Sequence, residues 1–284
     1  MNGSAAGSAG EPTGGAGPLV DCHAHAWGEG MPFLSNAWRR PDYCYTAENF
    51  LADMDVHGIS FGVIAAASLF GTYNDYTIRA LRRHRRLRGT AILDPATGLH
   101  ELEAMRLEGI TGVRLQWFAL DPLPDVSKDE WQRFFHRLRD LGMHVHLNIE
   151  GRRLADAAAP VLGTGVRLVI DHHGWHDPAR RLEEPSYRAM LVLMEPGTLW
   201  VKLSSGFRLP DRDLPAEYAQ DLLARFGPER LLWGSDAPFV GHEHAASYSD
   251  AVADFTHAVP DPETREAIGR TALDFYFGDV GYNG

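Results

Sequence analysis

The chain has 284 residues, 44% of them hydrophobic and 23% charged, which is enough apolar material for one large core in an ordinary globular protein. Its 27 Lys and Arg stand against 38 Asp and Glu, a formal net charge of -11, so the summed field repels nucleic acid, while a few local arginines can still hold a small anion. Without an apolar run near the roughly 18 residues of a membrane span, and with only Cys22 and Cys44, the chain reads as cytoplasmic, free of a disulfide framework and of membrane or nucleic-acid partners.

Residues 1–17 are Gly, Ala and Ser with almost no bulky side chain, a composition that cannot offset its ordering entropy and predicts a disordered tail before a domain over 18–284. From Leu19 onward, short apolar runs rich in β-branched residues alternate with longer amphipathic stretches. Eight runs read as strands: 19–25, 61–67, 89–94, 112–118, 143–149, 167–173, 199–205 and 231–237. The clearer helices between them are Thr46 to His57, opening on a Thr cap, then Asp75 to Arg88, Ser127 to Leu141, Glu184 to Glu195 and Pro215 to Phe226. Eight such pairs over about 265 residues predict a single-domain α/β protein, a (β/α)8 TIM barrel, rather than an open doubly wound sheet. No GxGxxG or GxxxxGK[ST] loop supports a nucleotide fold.

Four of the runs end in ionisable residues, at the strand ends where barrels of this kind carry catalysis. In VDCHAH, His23 and His25 are two residues apart and face the same side of a strand. RLVIDHHG brings Asp171, His172 and His173 to the mouth of strand six, with His172 the preferred site residue. LLWGSDAP presents Asp236 at the mouth of strand eight. An isolated HxH is as often a core or solvated pair, but three imidazoles and an aspartate at the mouths of strands one, six and eight form a catalytic pattern. On strand five, Asn148 reaches the mouth and His146 lies a step below it. The basic run RALRRHRRLRG reads as a solvated helix end, and His242 and His244 as loop residues.

With VDCHAHAWG, the GVR of strand four, VIDHHG, WVKLSSGFR and LLWGSDAP in this order, the sequence resembles the amidohydrolase-2 branch of the amidohydrolase superfamily over nearly its whole length from residue 19. Within that branch it is similar to the lactonases typified by 2-pyrone-4,6-dicarboxylate lactonase. That resemblance implies substrate-binding roles for Arg114, Arg208, Tyr45, Ser68 and Thr72, and hydrolysis without a metal. A guanidinium fork suits a carboxylate, so Arg114 and Arg208 agree with a small organic-acid or lactone substrate from aromatic catabolism. One departure stands out: where the lactonases carry a further arginine shortly after that of strand four, this chain has Leu120, and only Arg152 or Arg153 could substitute.

The implied mechanism has Asp236 as general base on water, His23, His25 and His172 polarising the ring carbonyl, and the two arginines holding the substrate anion, with Asn148 beside them. The principal alternative keeps the fold and puts one divalent metal, Zn or Mn, at His23, His25 and Asp236, serving a hydrolase or a non-oxidative decarboxylase. A second alternative is a barrel that only binds its ligand. Trp27, Trp117, Phe118, Trp175 and Phe207 are candidate walls of a flat pocket. A homo-oligomer is compatible with all of these readings.

Overall fold

The computed structural model describes residues 19–278, so the expected tail over 1–17 lies outside the described residues. Eight strands run in chain order around one parallel sheet: β1 (Val20–Ala24), β2 (Phe61–Ile64), β3 (Leu87–Ala91), β4 (Ile110–Gln116), β5 (His144–Asn148), β6 (Leu168–Ile170), β7 (Leu199–Leu203) and β8 (Leu231–Trp233). The last strand returns to the first through a parallel bridge between Ala24 and Ala237 and through bonds from the His25 amide to Ala237 (2.7 Å) and from the Asp236 amide to His23 (2.7 Å). The (β/α)8 barrel is therefore as the run count predicts. Gly234 makes this closure possible, because a Cβ there would lie 2.5 Å from that of His23.

Nine α-helices surround the described barrel: α1 (Ala47–Val56), α2 (Asp75–Arg83), α3 (Leu99–Leu107), α4 (Asp129–Asp140), α5 (Gly151–Leu162), α6 (Pro185–Met194), α7 (Leu214–Phe226), α8 (Tyr248–Ala258) and α9 (Pro262–Phe277). Thr46 caps α1 as expected, its side chain accepting from the Asn49 amide while the Asn49 side chain reaches back. The expected helix to Arg88 is too long. The chain leaves α2 after Arg83, and Leu87 and Arg88 are buried in β3. The apolar runs at strands six and eight also overstate the strands, whose last residues leave the ladder and turn toward the barrel mouth.

Two apolar layers hold the fold. Phe134, Phe135, Leu138 and their neighbours fill the space between sheet and helices, and Val20, Cys22, Val63, Val169 and Leu232 fill the lower barrel interior. The end of α9 closes that interior from below with Ala272, Phe275 and Tyr276. No helix among the described residues is long and apolar enough to cross a membrane.

Candidate active site

At the carboxyl ends of the strands lies a cavity of about 400 Å³, lined by His25, Trp38, Ser68, Arg114, Gln116, Phe118, Ala119, Asn148, His172, Trp175, Arg208 and Asp236. Three of the residues that shape it, His172, Ser205 and Asp236, follow β6, β7 and β8 directly and have φ of 52°, 58° and 64°. Left-handed backbone at non-glycine residues costs about 1–3 kcal/mol each and persists where the surroundings enforce it, commonly at functional sites.

Asp236 is the centre of the arrangement. Its Oδ2 accepts from Ser205 Oγ at 2.5 Å and from two nitrogens of Arg208 at 3.2 Å each. Its Oδ1 faces three imidazoles: His25 Nε2 at 3.4 Å, His23 Nε2 at 3.7 Å and His172 Nε2 at 4.0 Å. One carboxylate oxygen is thus saturated, and the other faces the imidazoles. Burial pushes the Asp236 carboxyl upward, but the neighbouring His172, His25, His23 and Arg208 together hold it well below the usual range, so it is ionised.

The histidines divide by their partners. His25 Nδ1 lies 2.8 Å from the Ala65 carbonyl, an acceptor only, so Nδ1 carries a proton, and the tautomer with that proton alone offers a lone pair at Nε2. In that form Nε2 can only accept and has no N–H for a carbonyl oxygen, which differs from the polarising role expected of it. His172 Nδ1 meets Ser204 Oγ at 2.9 Å, and burial lowers His172 to about 4. His23 is fully buried beneath the cavity rather than in its lining. His173 turns away toward Tyr218.

The two arginines are already engaged. Arg114, 3% exposed, donates from Nε to Asp171 Oδ2 and from Nη1 to the Ala66 carbonyl, both at 2.9 Å. Arg208 bonds Asp236 and the Val240 carbonyl. Each guanidinium has five N–H groups, so each keeps donors beyond these contacts. Asn148 bridges the site walls, accepting from Trp175 Nε1 at 2.6 Å and donating to Gln116 at 2.9 Å. Ser68 lies in the lining, its Oγ 3.4 Å from Trp38 Nε1.

Two expected residues are not brought to this cavity. The Tyr45 hydroxyl donates to Asp53 Oδ2 at 2.6 Å, toward α1, because a half-buried phenol and a nearby carboxylate satisfy each other locally. Thr72 lines a separate surface cleft with Phe33, Leu34 and Asp75. Arg153 also fails to replace the arginine absent at Leu120; it bonds Glu150 and the carbonyls of Trp117 and Leu120 and so braces the loop after β4. Of the candidate aromatics, Phe118 and Trp175 line the cavity, whereas Trp27 and Trp117 belong to the core and Phe207 meets Phe239 edge-on. The basic run is spent on structure: Arg82 pairs with Glu108, Arg86 pairs with Asp55, and Arg88 lies over Phe277.

Below the floor is a polar cluster that sequence reasoning missed. Lys202, fully buried in β7, places Nζ 3.0 Å from His23 Nδ1, 3.1 Å from His146 Nδ1 and 3.3 Å from Asp171 Oδ1. His146 Nε2 continues to His144 Nε2 at 2.9 Å and the Tyr276 hydroxyl at 3.0 Å. Burial pushes the Asp171 carboxyl up, but Lys202, His23 and Arg114 hold it well below its ordinary range. A charge in the middle of an otherwise buried strand run, WVKLSS, was the available signal.

A model of the amidohydrolase family matches residues 20–278. This chain belongs to the amidohydrolase family. A 4-sulfomuconolactone hydrolase of Rhizobium radiobacter is 27% identical over 234 residues, covering 78% of this chain and 76% of its own. The crystal structure of a probable 2-pyrone-4,6-dicarboxylic acid hydrolase from Acinetobacter baumannii, with citric acid bound, is 28% identical with a TM-score of 0.87, covering 91% of this chain and 99% of that one. An amidohydrolase from Burkholderia multivorans, solved with zinc, shares the fold at 19% identity and a TM-score of 0.75, covering 91% of this chain and 99% of that one.

His23, His25 and Asp236 each offer one atom within 4.8 Å of the others, a set that could hold a metal ion. His25 suits that role through its free Nε2. His23 does not. With Lys202 as an ammonium, which can only donate, its bond to His23 Nδ1 puts the imidazole proton on Nε2 and leaves the set one lone pair short.

Proposed function

We propose that this amidohydrolase opens a small lactone bearing an anionic group, using Asp236 to activate water and no metal ion. The supporting observation is the division of labour at Asp236: Oδ2 is fully bonded, while Oδ1 faces the cavity 3.4 Å from the Nε2 of His25. A water donating to both atoms would be held by a carboxylate and an imidazole that both accept. Asp236 takes one proton as the water oxygen bonds the ring carbonyl carbon; the ring C–O bond then breaks, and the proton passes to the departing alkoxide, giving an open hydroxy acid.

Arg114 and Arg208 border the same cavity as Phe118, Trp175 and Trp38, so the remaining guanidinium donors meet an anion while the aromatic walls cover a flat ring. The lactone-hydrolase names of the relatives support this substrate class. Leu120 in place of a third arginine favours a lactone with one anionic group over a dicarboxylate. Two unpaired cysteines suit the reducing cytoplasm.

Assay of purified protein against a sulfonated or carboxylated muconolactone and a pyrone dicarboxylate, with and without chelator, tests the reading. Ring opening indifferent to chelator is expected. Turnover that tracks one equivalent of bound metal would replace it with the metal-dependent alternative, and ligand binding without turnover of any lactone would leave a binding protein.

A further inference from the structure

The mechanism above makes no use of Lys202, although an ammonium buried without exposed surface is costly and persists only when firmly paired. Its surroundings are specific. Nζ lies within hydrogen-bond distance of two imidazole Nδ1 atoms, of His23 and His146, and forms an ion pair with Asp171. His23 has a competing arrangement within reach, since its Nδ1 lies 3.4 Å from Asp171 Oδ1. The two arrangements demand opposite tautomers: Lys202 requires a lone pair at Nδ1, and Asp171 would require a proton there. The present geometry favours Lys202, because Nζ lies 3.0 Å from His23 Nδ1 in hydrogen-bond geometry, whereas Asp171 Oδ1, 3.4 Å from the same atom, makes no hydrogen bond.

We infer that Lys202 is a positioning residue that fixes His23 with its proton on Nε2, aiming an N–H at Asp236 and denying the site its third metal ligand. The inference rests on the lactonase reading only for its catalytic consequence. The N–H supports the ionised Asp236 Oδ1 at 3.7 Å and any oxyanion forming beside it. His23 is fully buried with Lys202 at Nδ1 and Asp236 facing Nε2, so the tautomer decides what the imidazole presents to Asp236. Without Lys202, the His23 proton moves to Nδ1 and bonds Asp171. Nε2 then presents a lone pair beside His25 and Asp236, and a nitrogen, nitrogen and oxygen set for zinc is complete.

The test uses the whole protein without substrate, so it is independent of whether a lactone is turned over. Nitrogen-15 NMR of the wild type, with His23 assigned through His23→Gln, should show a protonated Nε2 and a bare Nδ1. The opposite pattern overturns the inference, whatever any variant does. Zinc titration by calorimetry should find Lys202→Met binding at least about ten-fold more tightly than wild type at one site, with a circular dichroism spectrum like that of wild type. Equal affinity in a folded Lys202→Met would also overturn it. On a lactone that the wild type opens, Lys202→Met should lower kcat about 10²-fold, the lower range for losing one electrostatic donor, with KM little changed. A rise in KM alone would assign Lys202 to the frame of the pocket and overturn the positioning role.

Discussion

Replacing Arg114 by Met separates a binding role from a structural one. Arg114 is 3% exposed, and its Nε bonds Asp171 Oδ2 at 2.9 Å. Removing it leaves Asp171 buried with Lys202, 3.3 Å from its other oxygen, as the remaining charge partner. Breaking a buried pair on one side costs about 3–5 kcal/mol. At roughly 2–4 °C per kcal/mol for a domain of this size, Tm should fall by about 6–20 °C. Arg208→Met is the contrast, since Arg208 is 19% exposed and Ser205 still bonds Asp236, so a Tm loss of a few degrees is expected. Both variants should raise KM, by about 10- to 150-fold for one charge-assisted bond of 1.5–3 kcal/mol to the substrate anion. The assay is differential scanning calorimetry beside steady-state kinetics. If Arg114→Met melts with the wild type and loses only affinity, the claim that Arg114 is anchored through Asp171 fails.

Asp236→Asn should lower kcat by about 10²- to 10⁴-fold, the usual value of a general base, while isothermal titration finds substrate affinity nearly unchanged; a fall in affinity with kcat preserved would remove Asp236 from that role. Stability should also fall on acidification. His172 and His176 are lowered to about 4 and His173 to about 3 by burial, so below their ordinary value near 6.5 the unfolded chain binds more protons than the folded one. Each therefore subtracts up to about 1.36 kcal/mol per pH unit between about 6.5 and its folded value, and denaturant midpoints that stay constant from pH 7 to pH 4.5 would contradict their burial in neutral form. Trp38 is 63% exposed over the cavity, and Trp38→Ala should raise KM several-fold with Tm within a degree or two of wild type. An unchanged KM would remove it from the substrate wall.

The barrel was legible because its strands are continuous apolar runs and its helices carry ordinary caps, as at Thr46. The site was partly legible for a related reason: His25, His172 and Asp236 sit where an apolar run gives way to polar residues, and strand direction alone takes them to one rim. Partners across the barrel were not legible. Nothing near Tyr45 in the chain distinguishes a hydroxyl turned inward from one bonded to Asp53, eight residues on. Arg114 was readable as a cation at a strand mouth, but its tie to Asp171, 57 residues away, depends on the curvature of the whole sheet. Lys202 stands alone in an apolar strand run, and none of its partners lies near it in the chain. Only the convergence of β1, β5 and β6 around it explains its burial.

The seal that α9 forms beneath the barrel ties the chemistry at one pole to the opposite one. Phe275 and Tyr276 keep water from the ion cluster that orients His23, and Tyr276 bonds it directly through His146. Because α9 follows all eight strands in the chain, the ring can assemble before its interior is dry. A lesion in this helix would then leave the rim outwardly intact yet catalytically slack, and a screen for activity would find damaging substitutions far from any ligand.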